Sequence, residues 1–176
     1  MVHIANESVL LLVDIQQRLM PSIFEGDRVV KEAVRLARIA QILDVPIIGT
    51  EQSPEGLGEN VVDIKMLCDQ TLTKHHFDGC EDGLVEALPG QRRHVIVAGC
   101  EAHVCVLQTC MGLLKRHAEV TVVVDAIGSR TERNYKAALH RLAEAGATFA
   151  TVEMIAFEWM ETSKHPRFRD VLALVR

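Results

Sequence analysis

The chain has 176 residues, 48% hydrophobic and 24% charged, with 19 Lys and Arg against 24 Asp and Glu for a net charge of −5. That length suits one domain over 1–176, able to bury roughly 70% of the surface its unfolded form exposes; the balance excludes disordered, collagen-like and coiled-coil chains. The acidic net charge gives no footprint for nucleic acid, and no apolar run approaches the ~20 residues needed to cross a bilayer.

Met1–Glu7 shows no basic stretch followed by an apolar one, so no signal peptide is expected. The cysteines at 68, 80, 100, 105 and 110 are odd in number and fit a reducing, cytoplasmic setting. Val9–Asp14 (VLLLVD) is the first of four uniformly apolar segments, the pattern of strands buried on both faces in a parallel sheet. Arg28–Leu43 then carries one apolar stripe (Val29, Val30, Ala33, Leu36, Ala37, Ala40, Leu43), with Asp27 as its expected cap and Pro46 just beyond its end. Val45–Thr50 is the second strand. Glu51–Asn60, rich in Gly and Pro, is expected as a loop at the carboxyl edge, where open α/β sheets bind ligands. Thr71–Phe77 reads as a short edge strand carrying Lys74.

His94–Gly99 is the third apolar strand, and His103–Arg116 a helix whose last turn holds Lys115, Arg116 and His117 against the negative end of its dipole. Val120–Asp125 is the fourth. A helix opens at Ser129 with Glu132 at capping-box spacing and stops before Gly146. Thr148–Val152 is a further short strand, and an amphipathic stretch runs from Pro166 to Val175. Strand and helix alternate throughout, so the expected fold is α/β with one core.

Gly56-Leu57-Gly58 lacks the third glycine of a dinucleotide fingerprint, and there is no Gly-Lys-Ser/Thr for a phosphate loop. Cys105 falls in the first turn after a strand. There, helix amides and dipole are expected to lower a thiol's pKa and to hold an oxyanion. Asp14 ends the first strand at the ligand edge, an environment that suits a general base. Lys74 could pair with it beside the thiol. Read singly, each has a plainer role: a packed inert cysteine, a turn aspartate, a solvated edge lysine. Cys100 and Cys110 read as core. Neither His75, His76 and Cys80 nor Cys100, His103 and Cys105 has zinc-site spacing. A Cys105–His103 dyad is disfavoured because residues two apart face apart on a helix.

Asp14 in Leu-Val-Asp-Ile-Gln, Lys74 before His-His-Phe and Cys105 in Gly-Cys-Glu-Ala-His-Val-Cys-Val come in this order, with Thr50-Glu51-Gln52 and Val123-Val124-Asp125-Ala126. Together they resemble the isochorismatase-like cysteine hydrolase superfamily over nearly the whole chain, most closely its isochorismatase domain-containing subgroup. The resemblance implies a three-layer αβα, Rossmann-like fold with a six-stranded, mostly parallel sheet in the order 3-2-1-4-5-6, bringing Asp14 and Cys105 to one crevice.

It further implies that Asp14 takes the thiol proton, Lys74 stabilises the charges and Cys105 attacks a carbonyl. Backbone amides of Glu101 and Cys105 would form the oxyanion hole beside a cis Cys100–Glu101 peptide. Water would then release the thioester, making a hydrolase of a small amide or related C–N bond. Nicotinamidases of the superfamily hold a metal through an Asp-x-His after the second strand; Thr50-Glu51-Gln52 has no histidine, so neither metal nor cofactor is expected. Gln16, Glu51, Gln52 and Phe77 are candidates to line the substrate pocket, with Phe77 equally a plain core aromatic.

Two rival readings are a non-catalytic binding or scaffold protein of the same fold and a thiol-redox protein. Cys105 and Cys110 diverge by about 140° on a helix, which disfavours a direct bridge. A homo-oligomer is expected, with Trp159 and the apolar C-terminal segment at a subunit contact.

Overall fold

The computed structural model describes residues 2–90 and 92–176. Its strands are β1 (Ser8–Val13), β2 (Ile47–Gln52), β3 (Gln70–Lys74), β4 (His94–Cys100), β5 (Glu119–Gly128) and β6 (Thr148–Ala150). Between them lie α1 (Gly26–Ile42), the short α2 (Pro54–Leu57), α3 (Val62–Lys65) and α4 (Leu84–Ala87), then α5 (Leu107–Lys115), α6 (Glu132–Glu144), α7 (Val152–Met160) and α8 (Phe168–Val175). The sheet order is β3-β2-β1-β4-β5-β6. Every pairing is parallel, so the sheet expected to be mostly parallel is wholly so. Among the described residues, no helix is long and apolar enough to cross a membrane.

Every residue of β1 and β4 is buried, which explains their uniformly apolar sequences. The two-residue alternation survives beneath that uniformity. Leu10, Leu12, Ile96 and Ala98 pack with α1, α7 and α8, whereas Val9, Leu11, Val95 and Val97 pack with α5 and α6 on the other face. These are the three layers. From β1 the chain winds outward to β2 and β3, then returns past β1 to β4. The reversal opens a crevice at the carboxyl ends of β1 and β4. Gly99, paired with Val13 at that edge, has a φ of 122°, and a Cβ there would run into the Val13 backbone. Glycine is required for the two strands to close where the crevice begins.

Several boundaries differ from expectation. Glu25, left-handed at φ 52°, caps α1, and Asp27 lies in the first turn, where its charge meets the positive end of the dipole. Thr131, not Ser129, opens α6, its Oγ1 accepting from Asn134 N at 3.2 Å. The helix expected over His103–Arg116 starts as a π-helical turn, Ala102–Val106, before α5. Glu51 and Gln52 belong to β2 rather than to the following loop, and β3 stops at Lys74, short of Phe77. The last strand ends at Ala150 because Thr151 caps α7, accepting from Met154 N at 3.2 Å.

Trp159 is not at a surface. It is 2% exposed in the core with α1, and its Nε1 donates to Ser8 Oγ at 3.0 Å. Trp159→Ala should cost roughly 3–5 kcal/mol of unfolding free energy in urea titrations. A loss no larger than the ~0.5 kcal/mol of surface substitutions would contradict this packing.

Candidate active site

Asp14 is the first residue past β1 and takes a left-handed φ of 48°, which turns the chain off the sheet at the crevice. Aspartate tolerates that conformation better than most side chains. Its amide donates to Thr50 O at 3.2 Å, and Thr50 Oγ1 donates to its Oδ1 at 2.6 Å. Lys74 closes β3 and reaches across β2, a span of roughly 10 Å between outer strands. Its Nζ lies 2.7 Å from Asp14 Oδ2 and donates to Gln52 Oε1 at 2.6 Å and to His76 O at 3.4 Å. The contact with Asp14 Oδ2 lacks the alignment of a hydrogen bond, so that oxygen keeps a lone pair unclaimed among the described residues.

Both charges are buried, Asp14 at 0% and Lys74 at 1% exposure. A buried ion pair is weak evidence of stability, because desolvation offsets most of the attraction. Buried charges of this kind gather where chemistry needs them. The edge lysine of the plainer reading is therefore neither at the surface nor solvated.

Cys105 lies in the π-helical turn, 7% exposed, with its Sγ 3.9 Å from the same Gln52 Oε1 that receives Lys74. Its thiol is not acidified as the helix position suggested. Burial first and the Asp14 charge second push it up to about 12, with Lys74 working in the opposite direction. A protonated thiol beside a carboxylate is an acid–base pair waiting for a carbonyl. Cys100 and Cys110 are fully buried in the two cores.

The Cys100–Glu101 peptide is cis. The Glu101 carbonyl accepts from Val104 N at 3.0 Å and Val106 N at 3.2 Å, the residues on either side of Cys105. The Glu101 carboxylate receives Arg130 Nε at 2.8 Å. His103 takes no part in a dyad with Cys105; its ring nitrogens meet Ser129 Oγ at 3.0 Å and Asn134 Nδ2 at 3.3 Å.

The four pocket candidates separate. On β2, Thr50 and Gln52 share one face and Glu51 takes the other. Gln52 thus touches both Lys74 and Cys105, while Glu51 Oε1 accepts from Asn60 N at 2.8 Å and closes the loop. Gln16 is fully buried; its Oε1 accepts from Gln52 N at 2.8 Å, and its Nε2 donates to Gln52 O at 3.0 Å and Gly58 O at 2.5 Å. Gln16 therefore holds the backbone that carries Gln52. Phe77 is 50% exposed, which removes the core-aromatic reading.

Sequence reasoning missed Thr50 as a site residue, although its spacing of two from Gln52 places both on one face of a strand. Among the described residues, no three His, Cys, Asp or Glu side chains converge as a metal set. A pocket of about 160 Å³ bordered by Phe24, Arg28, Ser129 and Tyr135 opens beside the end of β5 and includes none of Asp14, Lys74 and Cys105.

A profile of the isochorismatase domain matches residues 8–154. Isochorismatase domain-containing protein 2A of Mus musculus is 35% identical over 173 residues, 97% of this chain and 84% of that protein. Isochorismatase domain-containing protein 2 of Danio rerio is 36% identical over 170 residues, 96% of this chain and 86% of its own length. The solved structure of MAR1 ribonuclease from Caenorhabditis elegans superposes with a TM-score of 0.94 at 34% identity, covering 99% of this chain and 92% of that one.

Proposed function

The chain belongs to the isochorismatase family, and we propose that it is a cysteine hydrolase of a small amide or related C–N bond, with Asp14, Lys74 and Cys105 as its catalytic residues. The family's domain is a hydrolase-type fold. The observation that carries the finer reading is the convergence of a buried Asp14–Lys74 pair and the Cys105 thiol on one Gln52 oxygen. On this reading residues 1–176 act as one domain.

Cys105 Sγ attacks the carbonyl carbon as its proton passes to Asp14 Oδ2. The new C–S bond moves the carbonyl π pair onto oxygen, where the amides of Glu101 and Cys105 receive it. Lys74 holds the compensating positive charge. Collapse breaks the C–N bond, and Asp14 returns the proton to the departing nitrogen. Water then adds to the thioester and gives its proton to Asp14; collapse breaks the C–S bond, and the proton returns to sulfur. Amide and water become acid and amine, with no cofactor consumed.

The ribonuclease name of the nematode neighbour brings a polyanion into view as substrate. A phosphate at Cys105 would meet the Asp14 carboxylate, whose counter-ion Lys74 is already engaged, on a chain of net charge −5. These features support a small, uncharged substrate over nucleic acid. A thiol-redox role draws less support, because burial is the largest cause raising Cys68 to about 11 and Cys80 to about 12, as well as Cys105. The free cysteines support a cytoplasmic setting. On this reading the chain assembles as a homo-oligomer, which light scattering reads directly.

The test is a panel of small primary and secondary amides, with total RNA as one arm, assayed for ammonia, amine or shortened RNA. Acid-quenched samples of a turned-over amide should carry the acyl mass on the Cys105 peptide. Turnover that survives alkylation of Cys105, or cleavage confined to RNA, would overturn the proposal.

A further inference from the structure

Lys74 and Gln52 both lean on the backbone just past β3. Gln52 Nε2 donates to His75 O at 2.9 Å, and Lys74 Nζ donates to His76 O at 3.4 Å. The first bond decides which end of the Gln52 carboxamide faces the site. With Nε2 committed to His75 O, Oε1 is left for Lys74 and Cys105; a flipped amide would set its NH2 group against the Lys74 ammonium. Residues 75–77 lie outside the sheet ladder, so something other than strand pairing must hold these two carbonyls.

That hold comes from Asp82, at the end of the 3₁₀ turn Gly79–Asp82. Its Oδ2 accepts from His75 N at 2.8 Å and from His76 N at 2.7 Å, and its Oδ1 meets His76 Nδ1 at 2.9 Å. We propose that Asp82 is a positioning residue: by gripping the His75 and His76 amides it aims their carbonyls, and through them Gln52 and Lys74, at Cys105.

The grip is available at any working pH. Desolvation acts against the Asp82 carboxylate, but the His76 ring and the His76 and His75 amides hold it down to about 2. A depressed carboxylate contributes its interactions above the ordinary aspartate range near 3.9 and loses them as pH falls through about 2. Glu81 and Asp78 stand near the His76 ring and, with Asp82, favour its charged form. Asp82 touches neither Asp14 nor Cys105 among the hydrogen bonds of the described residues, so its effect passes through the backbone.

This inference rests on the reading of Cys105 as a nucleophile tuned by Lys74. It is tested on the full chain with iodoacetamide, following alkylation of Cys105 by peptide mapping from pH 7 to 10 with Cys68 as internal reference. Asp82→Ala should slow Cys105 relative to Cys68 by roughly five- to tenfold across that range, because Lys74 no longer stands where it favours the thiolate. Asp82→Asn should restore the wild-type rate within about twofold, since its carbonyl oxygen can accept both amides without the charge. Should Asp82→Ala fail to fold, Asp82→Ser carries the same expectation, because serine is too short for the grip. An unchanged or faster Cys105 in the alanine or serine variant, or no recovery in the asparagine variant, would overturn the inference. Lys74→Met separates the two levels: if it slows Cys105 and Asp82→Ala does not, positioning fails alone. If Lys74→Met leaves Cys105 unchanged, the reading of the site falls with it.

Discussion

Cys105→Ala is expected to lower kcat for any amide the wild type hydrolyses by at least about 10³-fold, while leaving substrate affinity nearly unchanged. Removing the nucleophile of a covalent mechanism removes the intermediate itself, and the residual rate then comes from binding and oxyanion stabilisation alone. Affinity should persist because the remaining polar site, Asp14 with Thr50 and Lys74 with Gln52, does not depend on the sulfur. The change deletes one buried atom, 3.9 Å from Gln52 Oε1, so folding should lose only about 1 kcal/mol. Cys105→Ser should be nearly as inactive, because a hydroxyl yields its proton far less readily than a thiol. Turnover, isothermal titration with the same amide, and urea unfolding separate the three quantities. An alanine variant within tenfold of wild type would mean that water, activated by Asp14, does the work without a covalent step.

The fold was legible because parallel strands buried on both faces cannot hide. Val9–Val13 and His94–Gly99 have no polar face to spare, and the helices between them show one stripe each. Helix α7 escaped notice for the converse reason: VEMIAFEWM is apolar nearly all round, so no stripe marks it as helical. The misplaced caps have a common cause. Asp27 and Ser129 are the side chains a cap prefers, but helix starts follow from how the backbone leaves the preceding turn, here through Glu25 at φ 52° and Thr131 two residues past Ser129.

In the site, Asp14 and Lys74 were legible as out-of-place charges on strands and Cys105 as a thiol in the first turn after a strand, and their order supplied the resemblance. What tunes them was not. Gln52 acts through the orientation of its amide, which depends on His75 O, and Asp82 acts through amides it meets only after β3 has ended. Such contacts follow from register and loop path, and neither leaves a periodic trace. The acidity of Cys105 was misread for a related reason. A helix start is visible in sequence, whereas the depth of the thiol and the neighbouring charge of Asp14 are visible only in the fold, and these outweigh it.

That inversion yields the second large effect. If Asp14 is the base, Asp14→Asn should lower turnover by roughly 10²–10⁴-fold, the ordinary worth of general-base catalysis. Yet the Asp14 charge is also one of the causes that raise the Cys105 thiol, while Lys74 lowers it. Neutralising Asp14 therefore leaves the thiol more acidic. Its alkylation midpoint by iodoacetamide should fall by roughly one to three pH units even as turnover collapses. Reactivity and catalysis would move in opposite directions. Loosening of the crevice could also free the thiol, and Lys74→Met excludes that explanation. Removing Lys74 leaves Asp14 buried without its partner, at a cost of roughly 3–5 kcal/mol, so a loosened crevice would be at least as open in this variant. Its thiol should nevertheless be pushed higher and react more slowly, because the charge that favoured thiolate has gone. Opposite shifts of the midpoint in the two variants, with turnover lost in both, would tie the proton on Cys105 to Asp14. Parallel shifts would show that the crevice opens in both variants, and Asp14 would then be a structural partner of Lys74 rather than the base.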